Sequence, residues 1–399
     1  MNKDQSPIHP VTLSPNGRYS LGDHGYVLGM QGVDPVWWHQ WTGPGGQHSR
    51  LPGRLSAFDR YYPDGLSAWV TEQATLLKRT GVKLLTQWTE TNLALAMVSD
   101  GSLWVPVLMP APATKSWVES GCVVSEGVEL VRQAARELRA SIEVRGYDYR
   151  KVLAGVIDWQ EVVWDSIRYG ILGADAAVAM AEELFPACVL AIKEELPGIP
   201  VWSPKLAGST TNDHADSGWR GFDDDPMGGF SHRWALLRAA SAGREVLCLN
   251  CYGDRRKHRL DEQHSYTRLP IVITEFARWT LSREANPYRW ADFKVMGRKK
   301  SYYPANSSRE SAESITGDVI FDAEAPYILG SCLYLWSHHA WDWGFAPNQR
   351  LFGYLGHAVD PTRPDPSGSR EWRDYQWMDE VRSAAEEADT LARKLRGTP

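Results

Sequence analysis

The chain has 399 residues, with 43 Lys plus Arg against 49 Asp plus Glu and a formal net charge of -6 spread over interspersed signs. With no long Lys/Arg block, this balance excludes the electrostatic footprint of a nucleic-acid binder, and no stretch approaches the roughly 20 apolar residues of a membrane span. The expected partner is therefore neither nucleic acid nor membrane, and composition leaves the oligomeric state open. The length admits one large domain, because α/β barrels occupy about 250 residues or more as a single unit. Met1 to Pro7 lack the apolar core of a signal peptide. As given, the chain reads as cytoplasmic, or as secreted or periplasmic if a leader has been removed.

Taken in chain order, residues 25–32 form a first apolar strand followed by a long Trp-rich loop. Helical spacing over residues 66–79 ends in Thr80-Gly81, a helix stop, before a second strand at 82–88. A third strand spans 103–109, and a helix over 128–144 leads to a fourth strand at 152–158. The next helix, 174–195, contains Pro186 and is expected to bend there. The fifth strand is 199–205. A helix at 232–242 precedes the sixth strand at 245–250, and a short helical piece precedes the seventh at 270–274. A helix at 312–325 precedes the eighth strand at 331–336, and an amphipathic helix fills 372–395. Eight strands separated by helices predict a closed (β/α)8 TIM barrel of class α/β. In this reading residues 1–24 are a lead-in, 25–345 the barrel, and 346–399 a loop and helix packed on it within one domain.

Two of these strands end abruptly in a carboxylate: Gly155-Val-Ile-Asp-Trp-Gln-Glu161 and Leu269-Pro-Ile-Val-Ile-Thr-Glu-Phe276. A carboxylate at the carboxyl end of a buried parallel strand lies where α/β barrels place their chemistry. Two such groups facing each other are the minimum equipment for cleaving a glycosidic bond, one as proton donor and the other as nucleophile or base. The 19 Trp and 16 Tyr, many outside apolar runs, fit a cleft that needs flat platforms for sugar rings.

With the strands numbered, the chain resembles the large clan of retaining (β/α)8-barrel glycoside hydrolases, and loosely the agarase-like ones. The clan's Gly-x-x-x-Trp-Asn-Glu pattern is matched by Gly155, Trp159, Gln160 and Glu161, and its Pro-Ile-x-x-Thr-Glu-Phe/Tyr pattern by Pro270, Ile271, Thr274, Glu275 and Phe276. Asn250-Cys-Tyr252 looks like the sixth-strand Asn-x-Tyr, and Trp336 looks like the eighth-strand Trp that floors the sugar site. The resemblance implies that Glu161 is the acid/base and Glu275 the nucleophile of a double displacement on an oligo- or polysaccharide. It also implies that Trp159, Gln160, Asn250 and Trp336 meet the sugar, and that Tyr252, in the same sugar site, holds the nucleophile. Gln160 departs from the clan's Asn, whose amide contacts the 2-hydroxyl, so its longer side chain requires a shifted backbone or sugar.

Several other residues have a competing bland reading. Asp158 replaces Glu161 only if the strand ends early, and period-two alternation puts it opposite Trp159. Glu90, after the second strand, is a substrate hydroxyl acceptor in this reading. His338 and His339 follow the eighth strand as sugar contacts or structural histidines. Lys205 reads as a solvated lysine, or as a contact to an acidic sugar, and the Asp223-Asp224-Asp225 run reads as solvated, with a calcium site of low specificity as its alternative. The five cysteines, Cys122, Cys188, Cys248, Cys251 and Cys332, are odd in number and mostly in apolar runs, which predicts buried free thiols. Cys248 and Cys251 have zinc-like spacing but no second pair, so neither metal nor cofactor is expected. Two other classes stay open: a carbohydrate-binding barrel without activity, and a metal-dependent sugar-active barrel.

Overall fold

The computed structural model describes residues 24–31, 65–86, 91–207, 229–251, 259–276, 293–295, 298–300, 308–333 and 376–396. Strands and helices alternate as β1 (Val27–Gln31), α1 (Gly65–Arg79), β2 (Leu84–Thr86), α2 (Thr91–Ser99), β3 (Leu103–Val105), β4 (Val107–Met109), α3 (Ala111–Glu119) and α4 (Val124–Glu143). There follow α5 (Tyr149–Val152), β5 (Val156–Trp159), α6 (Val162–Arg168), α7 (Ala174–Glu195), β6 (Val201–Trp202), α8 (Gly229–Ser241) and β7 (Leu247–Asn250). The rest is α9 (Leu260–Thr267), β8 (Ile271–Phe276), the antiparallel pair β9 (Phe293–Val295) and β10 (Arg298–Lys300), α10 (Ser308–Ala323), β11 (Ile328–Leu333) and α11 (Gln376–Arg396).

The main sheet is parallel and curled. Six strands run in the order β3-β2-β1-β11-β8-β7, and three more in the order β4-β5-β6. The expected third strand is divided at Pro106, which has no N–H to give a ladder. The sheet changes partner there: β3 pairs with β2, β4 pairs with β5, and Pro106 still accepts from Ile157 N–H at 2.9 Å. Parallel bridges continue the pairing between Trp104 and Leu153, and between Leu206 and Leu249. Ser203 N–H donates to Val246 C=O at 2.8 Å along the same edge.

Each side of the curled sheet has its own apolar cluster. The larger lies between strands and helices. The smaller takes one or two residues from each parallel strand or its lead-in, including Val27, Leu84, Val105, Ile157, Trp202, Cys248, Val272 and Cys332. Gly155 is a packing requirement of this inner layer, because a Cβ there would fall 2.5 Å from the Trp202 indole nitrogen.

Local chemistry accounts for the helices. The Thr80-Gly81 stop of α1 is a Schellman closure: Gly81 takes φ +75°, Gly81 N–H meets Lys78 C=O and Val82 N–H meets Leu77 C=O. In α4, Val131, Ala135 and Ile142 are buried on one face, while Arg132, Arg136 and Arg139 pair outside with Glu194, Glu195 and Glu143. α7 runs as one helix through Pro186. α11 lies against the start of β1, where Asp389 Oδ1 accepts from the N–H groups of Gly25 and Tyr26 at 2.6 and 3.0 Å. Helices α2, α3, α5 and α6 and the β9–β10 pair go beyond the sequence expectation. The first four are short, and their apolar positions merge with those of neighbouring strands.

The fourth strand carries one correction. Alternation predicts Asp158 and Trp159 on opposite sides, yet both reach α7. Asp158 is fully buried and pairs at 2.5 Å with Arg244, whose guanidinium also donates to Phe185 C=O. Trp159 donates its indole N–H to Cys188 Sγ at 3.4 Å. Asp158 is thus a structural ion-pair residue and not a stand-in for Glu161. Breaking such a pair from one side strands a buried charge, so Arg244→Met should lower the unfolding free energy in urea by about 3 to 5 kcal/mol.

Candidate functional site

Glu161 sits one residue beyond the motif's Gln160 and caps α6 with a left-handed backbone, φ 45° and ψ 30°. For a residue bearing a Cβ this conformation costs about 1 to 2 kcal/mol, and such strain collects at functional sites. The turn is held from both directions. Glu161 N–H donates to Lys205 C=O at 3.0 Å, and Glu161 C=O accepts from Asp165 N–H at 2.9 Å. Its carboxyl Oε1 accepts from Asn250 Nδ2 at 2.7 Å.

Glu275 reaches the same place through a bulge. Leu249 pairs with Ile273, but Asn250 pairs with Glu275, so Thr274 is an extra residue in β8. Strict alternation would send Glu275 to the helix side with Ile271 and Ile273. The inserted residue turns it to the Val272 side, a common use of bulges beside active sites. Thr274 Oγ1 then donates to Asn250 Oδ1 at 2.8 Å. Glu275, 4% exposed, accepts on Oε1 from Gln160 Nε2 at 2.8 Å, and the Lys205 ammonium lies 3.8 Å from the same oxygen.

The two carboxyl groups are held in different electrostatic surroundings. Burial, then the negative charge of Glu275, then Asp165 push Glu161 up to about 8, against the opposing Asn250 hydrogen bond. Glu161 keeps a partly exposed surface even though protein atoms crowd its carboxyl. Asp165, 6% exposed on α6, is raised to about 7 by burial, with Arg168 and Lys115 opposing. Glu161 therefore holds a proton near neutrality beside a second carboxyl group.

The sequence-derived residues divide into three groups. Glu161, Gln160, Asn250 and Glu275 come together: Gln160 bonds Glu275, Asn250 bonds Glu161, and Asn250 is the register partner of Glu275. The Gln160 amide meets Glu275, and the Asn250 amide is engaged by Glu161 and Thr274, so both hold the carboxyl groups in place. The Gln160 Oε1 is buried with no hydrogen-bond partner among the described residues. Trp159 departs from its expected role as a sugar contact: it is wholly buried, with its ring 4.7 Å from that of Trp117 in α3. Its size and its position at the strand end favour packing between sheet and helices over facing the cleft. Tyr252, Trp336, Glu90, His338, His339 and the Asp223–Asp225 run lie outside the described residues.

Lys205 is a further correction. Its side chain is fully buried rather than solvated, and its Nζ lies 3.8 Å from Glu275 Oε1. The apolar run Ile199-Pro-Val-Trp-Ser ahead of it was the available signal, since a strand-end position had already flagged Glu161 and Glu275. Asp165 had no such signal, being one acidic residue on a short helix. The five cysteines are buried free thiols, and burial raises Cys188 and Cys332 to about 12.

No family model matches the chain, and no curated protein matches it by sequence. Its fold is nevertheless similar to those of solved glycoside hydrolases. An agarase, AgWH50C, superposes with a TM-score of 0.56 at 11% identity, covering 92% of this chain and 60% of that one. An exo-beta-agarase gives 0.53 at 11% identity, covering 85% and 50%. BpGH50 gives 0.52 at 11% identity, covering 95% and 82%. The chain thus spans only about half to three fifths of the two agarases, and the likeness is one of fold.

The raised carboxyls have a stability consequence. Glu161 is raised to about 8 in the folded chain, so its favourable contribution is fully present below its unfolded value and is lost as pH rises through about 8. Glu161→Gln should therefore gain in unfolding free energy relative to wild type between pH 5 and about 8.5, measured by urea denaturation across that range. A difference independent of pH would contradict the raised carboxyl.

Proposed function

We propose that the chain is a glycosidase of (β/α)8-barrel type that cleaves an oligo- or polysaccharide by retaining double displacement. The barrel reading is supported by the parallel bridges that extend β4-β5-β6 toward β3 and β7, and by an inner cluster to which each parallel strand contributes. The observation that carries the function is the pairing of Glu161, with its proton held up to about 8, and Glu275, fixed by Gln160 and Lys205 in the same buried cluster.

In this mechanism Glu275 attacks the anomeric carbon as a carboxylate while Glu161 protonates the departing glycosidic oxygen. Glu161 then takes a proton from water as that water releases the glycosyl ester on Glu275. Asn250 holds the Glu161 carboxyl, and the strained cap fixes its direction, so the proton donor is positioned before substrate arrives. The Gln160 Oε1, without a hydrogen-bond partner among the described residues, is an acceptor set beside Glu275 and suited to a sugar hydroxyl. The fold neighbours make agarose and its oligosaccharides the first substrates to test, followed by other galactans and aryl glycosides.

Proton NMR of the reaction should show the product anomer with the configuration of the cleaved bond. Inversion would require a water-sized gap between the carboxyl groups and would overturn the double displacement. Glu275→Gln should abolish turnover. Glu161→Gln should lower kcat about 10² to 10⁴-fold on sugars, and much less on aryl glycosides whose leaving group needs no proton.

The proposed acid also sets a pH limit. With Glu161 at about 8, kcat/KM should fall on the alkaline side of that value. Removing the Asp165 charge, which raises Glu161, should move that limb to lower pH in Asp165→Asn. An alkaline limb unaffected by Asp165→Asn would remove Glu161 as its origin.

A further inference from the structure

Lys205 touches both carboxylate-bearing segments. Its backbone carbonyl receives Glu161 N–H at 3.0 Å, its own N–H donates to Trp159 C=O at 2.9 Å, and its ammonium lies 3.8 Å from Glu275 Oε1. The side chain is fully buried, and so is nearly all of Glu275. An isolated ammonium in such a place would give up its proton, because burial disfavours the charged form, and only a close anion offsets that cost. The groups facing it come from four directions: Glu275 on β8, Cys332 on β11, Cys248 on β7 and Glu161 beyond β5. Both thiols are raised by burial and Glu161 keeps its proton to about 8, while Glu275 places a carboxyl oxygen 3.8 Å from the ammonium.

We propose that Lys205 is a positioning residue that assigns the charges of the pair, holding Glu275 as the carboxylate and thereby leaving the proton on Glu161. The inference rests on the glycosidase reading, which it deepens. Two neighbouring carboxyl groups share one proton according to their surroundings, and a cation beside only one of them removes the symmetry. Burial pulls Lys205 down and Glu275 is the largest effect pushing it back up, in keeping with this coupling. The backbone bond to Glu161 ties the same residue to the strained cap, so charge and geometry of the two carboxyl groups are set from one strand end.

The coupling can be read without any substrate. In protein labelled with 13C at the lysine ε-carbons, Glu275→Gln should make the Lys205 signal lose its proton at a pH lower by at least about one unit than in wild type. The signal is assigned by its disappearance in Lys205→Met. The kinetic counterpart uses the glycoside that the wild-type enzyme cleaves. Lys205→Met should move the acidic limb of kcat/KM to higher pH and lower the rate at least about tenfold on that side with little change in KM, while Lys205→Arg restores the limb. A Lys205 titration unmoved by Glu275→Gln overturns the proposal, as does a Lys205→Met effect confined to KM, which would make the lysine a substrate contact. If Lys205→Met fails to fold, the Glu275→Gln titration still decides, with the signal assigned in Lys205→Arg. Absence of glycosidase activity in wild type would sink the functional reading while leaving the measured coupling intact.

Discussion

Two carboxyl groups close together inside a protein cannot both ionise at low cost, and the site is arranged around that constraint. Each charge raises the cost of the other, and burial amplifies the effect by keeping water from screening it. The structure breaks the symmetry with unequal partners: an amide for Glu161, and an amide plus an ammonium for Glu275. The result is one carboxyl group that retains its proton to about 8 beside a neighbour faced by a buried lysine. In the glycosidase proposed above, that asymmetry is what would separate a proton donor from a nucleophile when both are glutamates.

The geometry depends on two local departures from regular backbone. The left-handed cap at Glu161 and the extra residue at Thr274 each turn a side chain that a regular element would send elsewhere. Both are stabilised by neighbours rather than by their own sequence. The cap is bonded to Lys205 and Asp165, and the bulge is bonded through Thr274 to Asn250. Asn250 then reaches Glu161, so the irregularities at two strand ends are joined through one buried amide. Disturbing either strand end would therefore be felt at the other.

Behind the site, the curled sheet supplies stiffness from two sides. The inner cluster fills one face with residues from each parallel strand, and the helices cover the other. The Asp158–Arg244 pair lies in the helix-facing layer with one member on the strand that leads to Glu161. Trp159, packed on Trp117 and bonded to Cys188, fastens the same strand end to α3 and α7. Two residues that look chemical in the sequence are thus anchors for the residue that follows them.

Much of this was legible in the sequence because parallel strands buried on both faces read as apolar runs. The expected strand positions all meet strands here, with residues 103–109 divided at Pro106 and the last found at Ile328–Leu333. Glu161 and Glu275 stood out because a carboxylate interrupts an apolar run, and four of the named residues, Gln160, Glu161, Asn250 and Glu275, do meet. Period and polarity could not say which way Trp159, Lys205 and Glu275 point. A bulge or a left-handed turn shifts side-chain direction without changing composition, and burial of Lys205 depends on a carboxylate 70 positions further along the chain. The sequence by itself determined the order of elements and the residue types at the strand ends. Only the tertiary structure decided which of them face one another, because those contacts form between residues distant in the chain, and the charge each group carries follows from those contacts.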